Sequence, residues 1–150
     1  MSSFTADTEA ARRYIGLKGS TDASTRGKVT KNMKSVDVLD VARYPTATFA
    51  VDSAVALGQQ SASGRPLYEL RGNFTLHGKN RPIRIPVEVE QARGWLHVRG
   101  HFPIQQSDYG ITPYSTALGA IGVADRLEIH GDLWIAPTDL VALESIPEHK

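Results

Sequence analysis

The residues able to do chemistry are few, and their spacing limits what each can do. His97 and His101 fall on one face of an extended segment and His130 lies on another, a set that raises the question of a metal site. Residues four apart on a strand stand about 13 Å from each other, since each rises ~3.3 Å. That pair alone therefore holds no shared ion, and the expectation is solvent-facing histidines beside Trp95 and Trp134 with no metal bound. Ser107-Asp108-Tyr109-Gly110 sets a hydroxyl next to a carboxylate, but no Gly-x-Ser-x-Gly elbow surrounds the serine and no histidine is local to it. Asp108 is read as fixing its own loop through the backbone, and Tyr109 as lying across the mouth of a binding space. His77 reads as a turn residue bonded to neighbouring backbone, and Tyr44-Pro45 as a structural corner. Arg26, Lys28, Lys31 and Lys34 read as a solvated helix face, the alternative being a cationic rim suited to a pyrophosphate. No nucleophile, base and oxyanion donor come together, so the expectation is a protein without enzymatic activity and without a cofactor, the competing readings being an enzyme that uses the loop Gln105–Ile121 with His77, or an interaction module that pairs through an exposed edge strand.

The elements that position these residues are mostly strands. Tyr68 to Val89 is the clearest hairpin: Tyr68, Leu70, Gly72, Phe74 and Leu76 alternate with polar residues, and Ile83, Ile85, Val87 and Val89 repeat the pattern on the return. Gly78-Lys79-Asn80 supplies turn chemistry between the arms, and Pro86, on the polar side, predicts an edge or a bulge. Upstream, Phe49, Val51, Ser53, Val55 and Leu57 alternate with small and polar residues before a polar loop, Gly58 to Pro66. Downstream, Gly94 opens a strand with Leu96, Val98, Phe102 and Ile104 on one face; after the long connection Gln105 to Ile121, a last strand carries Leu127, Ile129, Leu133 and Ile135. Residues 1–45 read as helix and loop: Asp7 caps a helix over Thr8–Ile15, Gly19–Thr25 is a loop, Lys28–Lys34 is weakly helical, and Ser35–Asp40 is one further turn. Residues 46–136 are antiparallel strands, and the tail 137–150 is loosely attached. The fold class is all-β with short N-terminal helices, an antiparallel meander in one domain.

Composition narrows the function classes. With 41% hydrophobic residues in 150, the chain can build a core. Seventeen basic against sixteen acidic residues leave a formal charge of +1, which argues against a nucleic-acid surface. There is no cysteine, so disulfides and thiolate ligands are out. No segment nears the ~20 apolar residues of a spanning helix, and the opening MSSFTADTEAARRYIG has no apolar run of signal-peptide length, so the chain as given reads as soluble.

Four segments carry a family resemblance in order and spacing: Met33–Phe49 (MKSVDVLDVARYPTATF), Asn73–Val89 (NFTLHGKNRPIRIPVEV), Ser107–Ile111 (SDYGI) and Val123–Ile135 (VADRLEIHGDLWI). Together they resemble the YceI-like, polyisoprenoid-binding, lipocalin-like proteins. The resemblance implies an eight-stranded antiparallel barrel whose lumen holds a long apolar chain, an isoprenoid or similar amphiphile, for transport or sequestration, and a periplasmic or secreted location if the N-terminus is incomplete; otherwise the expected location is cytoplasmic. The lumen would be lined by Phe49, Val51, Leu70, Phe74, Leu76, Ile83, Ile85, Val87, Leu96, Val98, Phe102, Ile104, Leu127, Ile129 and Leu133, with Tyr109 at its mouth. Where members carry an Arg-Asp pair and a His, this chain has Val29, Thr30 and Asn32. The family's opening strands are absent, which leaves an open barrel, so the chain is expected to be an N-terminally incomplete member or to close its barrel in a homodimer.

Overall fold

The computed structural model describes residues 1–116 and 121–136. Two helices come first. α1 (Glu9–Tyr14) is capped by Thr8, whose hydroxyl accepts from the Ala11 amide at 3.2 Å. Asp7, expected to cap it, instead sits at φ 50° with its carboxylate on the Arg12 guanidinium at 2.8 Å and on the Thr21 hydroxyl. α2 (Ala23–Lys34) starts well before the expected Lys28, within the segment Gly19–Thr25 expected as a loop, because Asp22 accepts from the Thr25 amide at 2.9 Å and caps it. A tight turn follows, held by Asp40 N–H to Ser35 O and Tyr44 N–H to Asp40 O, both 2.8 Å, and it ends at Tyr44-Pro45 as expected.

The strands are β1 (Thr48–Gln60), β2 (Pro66–Leu76), β3 (Lys79–Ala92), β4 (Trp95–Gln105), β5 (Ser115–Thr116), β6 (Ile121–Gly122) and β7 (Arg126–Ile135). Five of them form one sheet in the order β1-β2-β3-β4-β7, and β5 pairs antiparallel with β6 apart from it. Among the described residues the large sheet ends at β1 on one side and β7 on the other; it is the antiparallel meander expected, and it does not close in this chain. β1 runs through Gly58 to Gln60, so the connection to β2 is shorter than the predicted Gly58–Pro66 loop.

Two hairpins are set by two-residue turns. His77 (φ 50°) and Gly78 (φ 69°) join β2 to β3, and Arg93 (φ 54°) with Gly94 (φ 80°) joins β3 to β4. Paired positive φ is the twist-matching geometry of a tight antiparallel connection. The first turn is thus His77-Gly78 rather than Gly78-Lys79-Asn80. The β3–β4 register runs from Val87 opposite Gly100 to Ala92 opposite Trp95. Pro86 lies in a strand with neighbours on both sides, not at an edge, and falls just outside that register.

The residues divide into two compact units. One comprises Met1–Thr48, Phe74–Asn80 and Gln105–Arg126; its buried residues include Val38, Phe74, Leu76, Tyr109 and Ile111. The other comprises Phe49–Asn73, Arg81–Ile104 and the chain from Leu127 on, with Ile85, Val87, Phe102 and Ile104 as its apolar core. The tail expected to be loose, 137–150, lies outside the described residues.

Candidate functional site

In the second unit the alternation predicted from single strands becomes one apolar face. The register sets Val89 against Val98 and Val87 against Gly100, so β3 and β4 present their apolar residues to the same side. Ile85, Val87, Phe102 and Ile104 are buried there; Phe49, Leu70, Ile83, Leu96, Val98, Leu127 and Ile129 are half-buried. On β1, the Phe49 ring covers Gly72, where any Cβ would overlap the Ala50 carbonyl oxygen. This close approach explains a glycine in mid-strand. At the two ends of the sheet the pattern continues without cover: Val51 is 50% exposed and Leu133 60%. Val51, expected to line an enclosed lumen, therefore faces solvent, because β1 has no strand beyond it among the described residues.

In the first unit, Phe74 and Tyr109 pack edge to face at 5.7 Å between centroids. Tyr109 is only 2% exposed, so it is a core residue and not a lid across an opening. His77 Nδ1 lies 3.2 Å from the Tyr109 carbonyl oxygen, and its ring meets the Tyr44 ring edge-on at 4.7 Å. This is the structural turn role expected of it, and it brings the corner residue Tyr44 into the same cluster. The loop at Ser107 is clasped by Asp125, which accepts from the Ser107 amide at 2.8 Å and hydroxyl at 2.6 Å; these bonds hold its carboxyl below the usual range. The serine hydroxyl is thereby committed to a carboxylate eighteen residues away, a pairing invisible without the fold.

The opposite face of β3, β4 and β7 is a network of charge. Glu88 stands directly across from Arg99, whose Nη2 is 2.7 Å from it, and Arg65 Nε bonds Glu90 at 2.8 Å. Hydrogen bonds from Ser61 and Ser63, with Arg99 and Arg65 beside it, hold the Glu88 carboxyl below its ordinary value against the opposing effect of burial. His97 is 8% exposed and not solvent-facing: Nε2 lies 2.6 Å from Asp132 Oδ1 and the imidazole stacks on Trp134 at 4.0 Å. His101 instead meets His130, with rings 5.5 Å apart. Among the described residues no three His, Cys, Asp or Glu side chains are grouped to hold a metal ion.

Two cavities lie elsewhere. One, about 710 Å³, is lined by the α2 residues Arg26, Gly27, Thr30, Lys31 and Lys34 with Thr5 and Ser35 beside them. Three of the four cations read as one rim thus share a concavity, and Lys28 is not among them. The other is a cleft between Trp95 and Trp134, next to Arg93 at the β3–β4 turn. No described helix is long and apolar enough to cross a membrane.

Comparison with known proteins agrees with this geometry. The chain is 31% identical over 109 residues to a UPF0312 protein of Azotobacter vinelandii, covering 69% of this chain and 54% of that protein. A UPF0312 protein of Vibrio cholerae is 30% identical over 113 residues, covering 71% and 54%. The chain spans about half the length of these relatives. In fold it is similar to the crystal structure of Burkholderia cenocepacia BcnA (TM-score 0.61, 24% identity, 73% of this chain and 65% of that one). It is also similar in fold to the Campylobacter jejuni YCEI protein (TM-score 0.52, 14% identity, 71% and 61%). The YceI-like domain model matches residues 4–134, nearly the whole described chain, and the chain belongs to that family.

Proposed function

We propose that this protein is a non-catalytic carrier that binds or sequesters the long apolar chain of an isoprenoid or similar amphiphile against the apolar face of its large sheet. The observation that carries the reading is the run of apolar side chains across β1, β3, β4 and β7, whose end members Val51 and Leu133 stay exposed. A soluble chain seldom leaves such a strip uncovered without a use for it. Each buried CH₂ contributes about 0.8 kcal/mol, so a prenyl chain needs few polar contacts to bind. Phe49, Leu70, Leu96, Val98, Leu127 and Ile129, half-buried, are the contacts in this reading. A second copy of the chain, pairing at β1, extends the sheet and satisfies its edge.

The test is lipid extraction of the purified protein followed by mass spectrometry, together with melting in the presence of a polyprenol. At a hundred times Kd a guest adds about 2.7 kcal/mol, and for a chain of this length each kcal/mol raises Tm by about 2–4 °C. Val51→Asp puts a charge on the strip at an exposed position, so it folds and loses the shift. No extracted lipid, no shift with polyprenol and a monodisperse monomer by light scattering would together remove the proposal.

A further inference from the structure

We propose that the cavity on α2 is an anion site for a diphosphate or phosphomonoester group. The site is independent of whether an apolar chain binds the sheet. Between Ala23 and Lys34 the helix carries Arg26, Lys28, Lys31 and Lys34 and no carboxylate. Lys28, Lys31 and Lys34 follow one another at intervals of three, the spacing at which like charges on a helix repel. None of the α2 residues is fully buried, and Lys28 and Lys31 are exposed, so their repulsion is not offset by burial of those side chains. A multivalent anion offsets it.

The cavity has the chemistry to hold one. Arg26, Lys31 and Lys34 line it, and its walls include no carboxylate. Arg26 donates to the Thr21 carbonyl at 2.8 Å, yet its Nε is buried without a hydrogen-bond acceptor among the described residues. The buried Nε is closed to an incoming anion, but Arg26 lines the cavity, and a phosphate oxygen is the acceptor a guanidinium group fits best. Thr30 accepts from the Ala6 amide at 3.0 Å, which leaves its hydroxyl proton to donate. Lys34 is anchored on the Ser2 carbonyl at 2.7 Å and so is held in place. The nearby carboxylate, Asp7, is committed to Arg12 and Thr21, whose hydrogen bonds keep it ionised below the usual range. Arg26 also helps to lower that carboxyl, so an anion in the cavity shares Arg26 with Asp7.

Titration of the full chain with inorganic pyrophosphate at fixed ionic strength, by calorimetry and by helical circular dichroism, tests the site. The expected result is saturable one-site binding with a rise in helical signal, weakened at least tenfold in Lys31→Gln and again in Arg26→Gln. Lys31→Gln, on an exposed residue, keeps the fold. Heat and helicity that follow ionic strength alone, matched by sodium chloride, overturn the site, as does unchanged affinity in both variants. Displacement of pyrophosphate by geranylgeranyl diphosphate supports a lipid head group as the natural anion, and retention against that lipid supports a free diphosphate. A polyprenol that binds while pyrophosphate does not overturns this site and leaves the carrier reading intact.

Discussion

Gly78→Ala tests the geometry of the His77-Gly78 turn most sharply. Gly78 has φ +69°, where a side chain costs about 1–2 kcal/mol. A Cβ built there stands 2.5 Å from a ring carbon of Tyr44 and 3.2 Å from two more. The ring must retreat by roughly 1 Å to restore van der Waals distance, giving up its edge contact with His77; overpacking of this kind costs about 1–3 kcal/mol. Part of the backbone cost is offset because alanine also restricts the unfolded chain, by about 0.4–1 kcal/mol. The net loss is about 2–4 kcal/mol, a fall in Tm of roughly 5–15 °C. The decisive assay is a double-mutant cycle in urea with Tyr44→Ala. Without the ring only the backbone cost remains, so Gly78→Ala should cost about 1 kcal/mol in that background, a coupling of about 1–3 kcal/mol. Additivity within about 0.5 kcal/mol would show that the ring does not lie over the glycine and would refute the reasoning.

Three further outcomes are expected. Gly72→Ala forces a Cβ onto the Ala50 carbonyl and pushes β1 from β2, so amide exchange should accelerate across Thr48–Gln60; unchanged protection there contradicts the close approach. Asp132→Ala removes the carboxylate 2.6 Å from His97 Nε2, at a cost of about 1 kcal/mol because Asp132 is half exposed, and should shift Trp emission as the imidazole on Trp134 loosens. Asp7, Asp22, Glu88 and Asp125 all have carboxyls held below their ordinary values, chiefly by hydrogen bonds. Groups depressed by folding bind fewer protons in the native state, so their contribution is complete above the ordinary carboxylate range near pH 4 and is lost as pH falls through the lower folded values. These four carboxyls should therefore make the urea midpoint decline as pH falls below about 5; a midpoint rising on acidification through that range would reverse the sign.

Most of the fold was legible because the meander repeats one local rule. Phe74, Leu76, Ile85, Val87, Phe102 and Ile104, each placed by period-2 alternation within its own strand, are all buried. The differences lie where a short-range signal competes with a propensity. Asp22, three residues before the amide it accepts from, announces α2, and His77-Gly78 announces a two-residue turn once a histidine is allowed positive φ. Glycine punctuates a strand pattern and so predicts that β1 ends at Gly58, yet Gly58 takes φ 65° and the ladder continues to Gln60.

The site was less legible, for a reason that separates its two faces. An apolar face needs only that each strand alternate, since any neighbour brought alongside adds the same kind of surface, and Val87, Val89 and Val98 could be assigned without knowing which stood opposite which. A polar face is defined by pairs. Glu88 stands in ion-pair reach of Arg99 because the register sets them across from each other, and Asp132 reaches His97 from thirty-five residues away; moving either strand by one residue would part them. From sequence alone His97 reads as solvent-facing for that reason, since its neighbours in sequence, Leu96 and Val98, are apolar while its partners lie on β3 and β7. The register that buries an oily strip on one side therefore also locks the charges on the other. Variants that slip the β3–β4 register should lose the His97–Trp134 stack and the apolar strip together, whereas a guest held by the strip should protect both.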